Sequence, residues 1–153
     1  MHSIALIGCG DVAEQGHLPA ILQDQRFKLT AACDLNRSRA ELLSSRGGGL
    51  RAYTDWRDLL ASEPQLDAVV LALPPEVSPD IAIESLSRGL AVLDEKPLAT
   101  TLHDGQRLRQ VVEKHRGVYQ VGFVLRYGEW IEVIRRHVPR LGGPLQISVE
   151  IYD

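Results

Sequence analysis

Residues 6–20 read LIGCGDVAEQGHLPA: an apolar stretch runs into Gly8, Gly10 and Ala13, then into His17-Leu18-Pro19. The spacing Gly8-x-Gly10-x-x-Ala13 after an apolar run predicts a strand that turns sharply into a helix. The first glycine permits the tight turn, the second lets a pyrophosphate approach the backbone, and the small Ala13 lets the helix pack close to the strand. The N-terminal amides and the dipole of that helix then face the phosphates. Asp34 closes the next apolar run, the second expected strand, at the usual distance of about 20 residues or somewhat more. A carboxylate there accepts hydrogen bonds from adenosine ribose hydroxyls and repels a 2′-phosphate, which favours NAD over NADP. Arg37 and Arg39 follow closely and leave NADP open. An acidic residue at this place also holds a ribose in methyltransferase-type sheets; a small residue at 13, rather than a third glycine at 12, favours the dinucleotide.

Outward from this stretch the chain alternates between short apolar runs and longer amphipathic ones. The runs 3–8, 28–34, 67–73, 91–95 and 118–124 have strand length without strict alternation, as strands covered on both faces do. Helical patterns lie between and after them, over Asn36 to Arg46, Asp55 to Ala61, Pro79 to Arg88, Thr101 to His115 and Gly128 to Val138. The helix after Thr101 has Leu102, Leu108, Val111 and Val112 for its apolar side and a capping-box-like start in Thr101-x-x-Asp104. Repeated strand–helix alternation predicts an α/β fold: a Rossmann-type doubly wound parallel sheet with helices on both faces.

The 153 residues suit about one domain. With 44% hydrophobic and 24% charged residues and a formal net charge of −3, the chain has no electrostatic footprint for nucleic acid or an anionic membrane. No apolar segment approaches the roughly 18 residues that span a bilayer, and no signal-like leader opens the sequence, so a cytoplasmic protein is expected. Cys9 and Cys33 each sit in or beside an apolar run, which predicts buried, reduced thiols. No metal-ligating set is assigned.

A second constellation extends the reading from binding to chemistry. Glu95-Lys96-Pro97 stands at the end of the run 91–95, where a doubly wound sheet opens its ligand crevice. Together with "LALPPE" at 71–76, "GFVLRY" at 122–127 and "GHLPA" at 16–20, in this order along the chain, it resembles the cofactor domain of the Gfo/Idh/MocA oxidoreductases, the glucose–fructose oxidoreductase and inositol dehydrogenase group.

That resemblance implies a set of roles. Gly8, Gly10, Asp11, Val12 and Ala13 line the pyrophosphate, Asp34 holds the adenosine ribose, and Leu73, Pro74 and Pro75 run along the cofactor. Glu95 meets the nicotinamide ribose, Arg126 approaches cofactor or substrate, and Lys96 is the catalytic residue. In such enzymes a hydride moves between the nicotinamide and a carbinol carbon of a sugar, polyol or related substrate, and the lysine ammonium stabilises the developing alkoxide. The resemblance also implies a cis Lys96-Pro97 peptide, a short turn before Pro19, and a structural or cofactor-side place for His17. Ser78 departs from the family pattern, which often has a histidine there.

The segment 144–153 differs from the earlier runs. Leu145, Ile147, Val149 and Ile151 alternate with polar residues, which predicts a half-exposed antiparallel strand. The resulting organisation is a dinucleotide-binding domain over 1–143 and the first strand of an otherwise absent substrate domain over 144–153, with self-association through that strand. A non-catalytic NAD(P)H-binding sensor or interaction module is the alternative to an oxidoreductase domain. S-adenosylmethionine binding is disfavoured by Glu95-Lys96-Pro97.

Overall fold

A computed structural model describes residues 1–143, in two compact units, Met1–Gly122 and the segment from Phe123 onward. The expected strand over 144–153 lies outside the described residues. The first unit is built on β1 (His2–Ile7), β2 (Phe27–Cys33), β3 (Arg51–Tyr53), β4 (Ala68–Leu71), β5 (Ala91–Asp94) and β6 (Tyr119–Val121). All neighbours pair in parallel, in the order β3-β2-β1-β4-β5-β6. The order reverses between β1 and β4, so the chain ends leaving these two strands open a crevice there. β3 is absent from the apolar runs of the sequence: its three residues are exposed or half-buried, and the strand is defined by its pairing with Ala31–Cys33.

The absence of strict alternation follows from burial on both faces. On one face Ala5, Ile7, Val69, Leu71 and Val92 pack with Leu59, Ile81, Leu86 and Leu108 of the helices α3 (Trp56–Ser62), α4 (Ser78–Ser87) and α5 (Leu102–His115). On the other, Ile4, Leu6, Leu29 and Val70 pack with Ala13, with Leu18 and Ile21 of α1 (Leu18–Gln23), and with Leu43 of α2 (Arg37–Arg46).

Side-chain oxygens cap the helices where the sequence offers them. Asn36 accepts from Ser38 N and Arg39 N, Asp55 from Arg57 N, and Thr101 from Asp104 N. Leu102 corrects the expected apolar side of α5. At about 100° per residue it falls well off the arc of Leu108, Val111 and Val112, and it is 79% exposed. The second unit carries a 3-10 turn, Val124–Tyr127, and α6 (Glu129–His137).

Among the described residues, the most deeply buried carboxylate ends β5. Asp94, the last residue of β5, is fully buried and accepts from Ser78 Oγ at 2.5 Å and Tyr119 OH at 2.8 Å. Burial pushes its pKa up, against the pull of those two donors. Ser78 therefore faces inward, which accounts for the departure at this position: its hydroxyl serves the core.

A group whose pKa is raised on folding adds stability below its unfolded pKa and loses that contribution as the pH rises through the folded value. Tyr119→Phe is expected to destabilise the domain by about 1–3 kcal/mol at pH 7. The cost should shrink as the pH falls and Asp94 takes up a proton, because the neutral carboxyl needs the phenol less. Urea unfolding of both proteins at pH 7 and pH 5 reads this directly. An equal cost at the two values would mean that the charge on Asp94 does not set the strength of the Tyr119 hydrogen bond over this range.

Candidate cofactor crevice

The carboxyl ends of β1, β2 and β4 are stitched together around the glycine loop. Gly8 has a φ of +91°, and a Cβ on it would overlap the carbonyl oxygen of Ala72, so both conformation and space require glycine. Gly8 N donates to Cys33 O at 2.8 Å, and Ala72 N donates to Ile7 O at 2.8 Å. Gly10 is different. Its φ is ordinary and a Cβ there would meet nothing within 4 Å, so the chain's own packing does not require glycine. The bare backbone faces open space, as it must where a ligand approaches the main chain. Asp11 and Val12 are exposed at the start of the helix, while Ala13 is fully buried against the sheet.

Asp34 stands just past β2 with both carboxylate oxygens engaged. Oδ2 accepts from Cys9 N and Oδ1 from Asn36 N, each at 2.8 Å. It thereby ties the glycine loop to the start of α2. Each oxygen keeps a second lone pair for a hydroxyl donor. Beside it lies a cavity of about 470 Å³ lined by Asp34, Arg39, Thr54, Trp56, Leu73, Pro74, Val77 and Ile81, among others. Apolar walls with a few convergent polar groups suit a flat ring and its attached sugar. Of the two arginines after Asp34, Arg39 lines this cavity and Arg37 pairs with Glu41 along the helix. Cys9 and Cys33 are free and buried; burial first, and Asp34 next, push both thiols up to about 12.

Glu95 and Lys96 stand at the end of β5, on the other side of the β1–β4 switch point from Asp34. Lys96 is exposed, and the Lys96-Pro97 peptide is cis, as the family resemblance implies. Glu95 is held by His17 Nε2, 2.9 Å from its Oε1, each side chain being 15% exposed. The expected break at Pro19 is a π-helical turn over Ala13–His17, in which Leu18 N donates to Ala13 O, with Pro19 in the first turn of α1. Pro75 is half-buried in the loop after β4. Arg126 belongs to the 3-10 turn of the second unit.

Sequence reading alone does not find Trp56, Thr54, Val77 or Ile81 as cavity walls, because the short β3 that delivers the first two carries no apolar signal. Nor does it find the His17–Glu95 pair, whose partners lie far apart in the chain. The loop opened at Gly10, the carboxylate at the end of β2 and the apolar cavity beside it fit an adenine dinucleotide. Bound there, that cofactor supplies hydride donation and acceptance.

Comparison with known proteins agrees. The family model described as "Oxidoreductase family, NAD-binding Rossmann fold", Gfo/Idh/MocA, matches residues 2–123. The inositol 2-dehydrogenase of Salmonella typhimurium is 27% identical over 130 residues, which are 82% of this chain and 38% of that protein. The myo-inositol 2-dehydrogenase of Lactobacillus plantarum superposes with a TM-score of 0.85 at 28% identity, covering 91% of this chain and 41% of the other. A WlbA dehydrogenase from Chromobacterium violaceum, crystallised with NADH and UDP-GlcNAcA, gives 0.84 at 27% identity, covering 91% and 40%. The chain thus spans about two fifths of the length of these relatives. With four fifths of its residues inside the family model, the chain belongs to the Gfo/Idh/MocA oxidoreductases and is their NAD-binding Rossmann domain.

Proposed function

We propose that this domain serves an NAD-dependent dehydrogenase that moves a hydride between the cofactor and a carbinol carbon of a sugar or polyol, and that it works with a second, substrate-binding domain. The observation that carries the reading is the arrangement across the switch point: a carboxylate anchored beside an apolar cavity on one side, and an exposed lysine at a strand end on the other. The polyol named in the inositol dehydrogenases and the sugar nucleotide held by the WlbA enzyme support the substrate class.

Gly8, Gly10, Asp11, Val12 and Ala13 take the pyrophosphate at the helix N-terminus. Asp34 accepts from the adenosine ribose, Leu73, Pro74 and Pro75 flank the cofactor, and Glu95 accepts from the nicotinamide ribose. Lys96 donates a hydrogen bond to the substrate hydroxyl oxygen and stabilises the negative charge that develops on it. Arg126 approaches cofactor or substrate. NAD is favoured by Asp34, with NADP admitted only so far as Arg39 offsets its charge. The net charge of −3 supports a partner that is neither nucleic acid nor membrane, and two buried free thiols support a cytoplasmic setting. Self-association through residues 145–152 rests on their strict alternation.

Asp34→Ala is expected to weaken NADH binding about ten- to a hundredfold, as loss of a charged hydrogen bond does, and to narrow the preference for NADH over NADPH. Calorimetric titration of both nucleotides checks it, and an unchanged ratio would remove Asp34 from cofactor choice. In the two-domain enzyme, Lys96→Ala should lower kcat by about a hundredfold or more while NADH affinity stays nearly constant. Steady-state kinetics with a polyol substrate decides, a mild effect on turnover counting against the lysine. Sedimentation velocity should show concentration-dependent association that truncation after Gly143 abolishes; identical profiles would rule the segment out as an interface.

A further inference from the structure

Glu95 is held by two donors, and a glycine leaves room for it on a third side. His17 Nε2 donates to Oε1 at 2.9 Å, the imidazole nitrogen carrying the hydrogen because a carboxylate oxygen accepts. Lys96 N donates to Oε2 at 3.3 Å. Beyond the end of β6, Gly122 leaves the carboxylate its space: a Cβ there would stand only 3.2–3.3 Å from Oε1, Cδ and Oε2. The imidazole reaches Glu95 from within the π-helical turn, whose wider hydrogen-bond ring sets where residue 17 falls on the helix surface. Pro19 has no N–H to give to a regular α-helical ladder at this point, so the sequence itself favours the wider turn. The helix that starts at the glycine loop is thereby tied to the strand end that presents Lys96.

A free glutamate side chain samples many rotamers, and fixing it before a ligand arrives removes that ordering cost from binding. We propose that His17 is a positioning residue for the nicotinamide half of the cofactor: its hydrogen bond fixes Glu95 so that the remaining acceptor sites of the carboxylate meet the nicotinamide ribose hydroxyls. The proposal rests on the dinucleotide reading above. It assigns His17 no contact with the adenosine half, which lies across the switch point on the Asp34 side.

That division supplies the test. NADH spans both halves of the crevice, whereas ADP-ribose lacks the nicotinamide ring and AMP occupies the adenosine half alone. Calorimetry with NADH and AMP on the wild-type chain, His17→Ala, His17→Gln, Glu95→Ala and the double variant His17→Ala/Glu95→Ala separates the contributions. His17→Ala is expected to weaken NADH about tenfold and to leave AMP within about twofold. His17→Gln, whose amide donates to a carboxylate, should recover most of the loss. The double variant should bind NADH no more weakly than Glu95→Ala, since the histidine acts only through the glutamate. Unchanged NADH affinity in His17→Ala, or an equal loss for both ligands as the helix loosens, would overturn the positioning role. If the wild-type chain bound neither ligand, the dinucleotide reading itself would fall instead.

Discussion

The close approach of Gly8 to the carbonyl oxygen of Ala72 is the constraint on which the rest of the crevice depends. Strands β1 and β4 are neighbours in the sheet, and the chains leaving them diverge to opposite sides. The two segments pass so near one another that no side chain fits between them, and the glycine must also adopt a positive φ. Once this crossing is made, Gly8 N reaches Cys33 O and Cys9 N reaches Asp34. The ends of β1, β2 and β4 become one hydrogen-bonded rim, and the position of Asp34 follows from it. A larger residue at position 8 would move the loop and the carboxylate together.

Two adjacent carboxylates at the end of β5 divide their work through the alternation of a strand. Asp94 turns into the core, where Ser78 and Tyr119 satisfy it, and Glu95 turns toward His17 and Gly122. The buried one anchors β5 to α4 and β6 under the crevice, and the half-buried one stands at its edge. Neither has freedom to swing, so the lysine that follows starts from a backbone held on both sides.

Much of this organisation is legible in the residues. The glycine spacing, Asp34 and the Glu95-Lys96-Pro97 triplet mark the strand ends because each answers a local need: a turn, a carboxylate that ties two loops together, a strand terminus. Five of the six strands announce themselves as apolar runs, and for β1, β2 and β4 at the centre of the sheet this is because both faces are covered. What is not legible depends on partners distant in sequence. β3 exists through its pairing with β2, and its Arg51, Ala52 and Tyr53 bear no pattern of their own. The inward turn of Ser78 and the link from His17 to Glu95 arise only when separate elements meet. Leu102 has the right residue type for the apolar side of α5, but helical geometry places it elsewhere.

The two thiols beside the rim have a practical consequence. Burial and Asp34 push both thiols up to about 12, so at pH 7 they stay protonated, and both residues are buried. Cys9 lies inside the glycine loop itself, between the residue that touches Ala72 and the one left bare. Its alkylation therefore requires the loop to lift from the end of β2. The rate at which a thiol reagent labels Cys9 is a clock for that opening, carried by the native chain without any added probe.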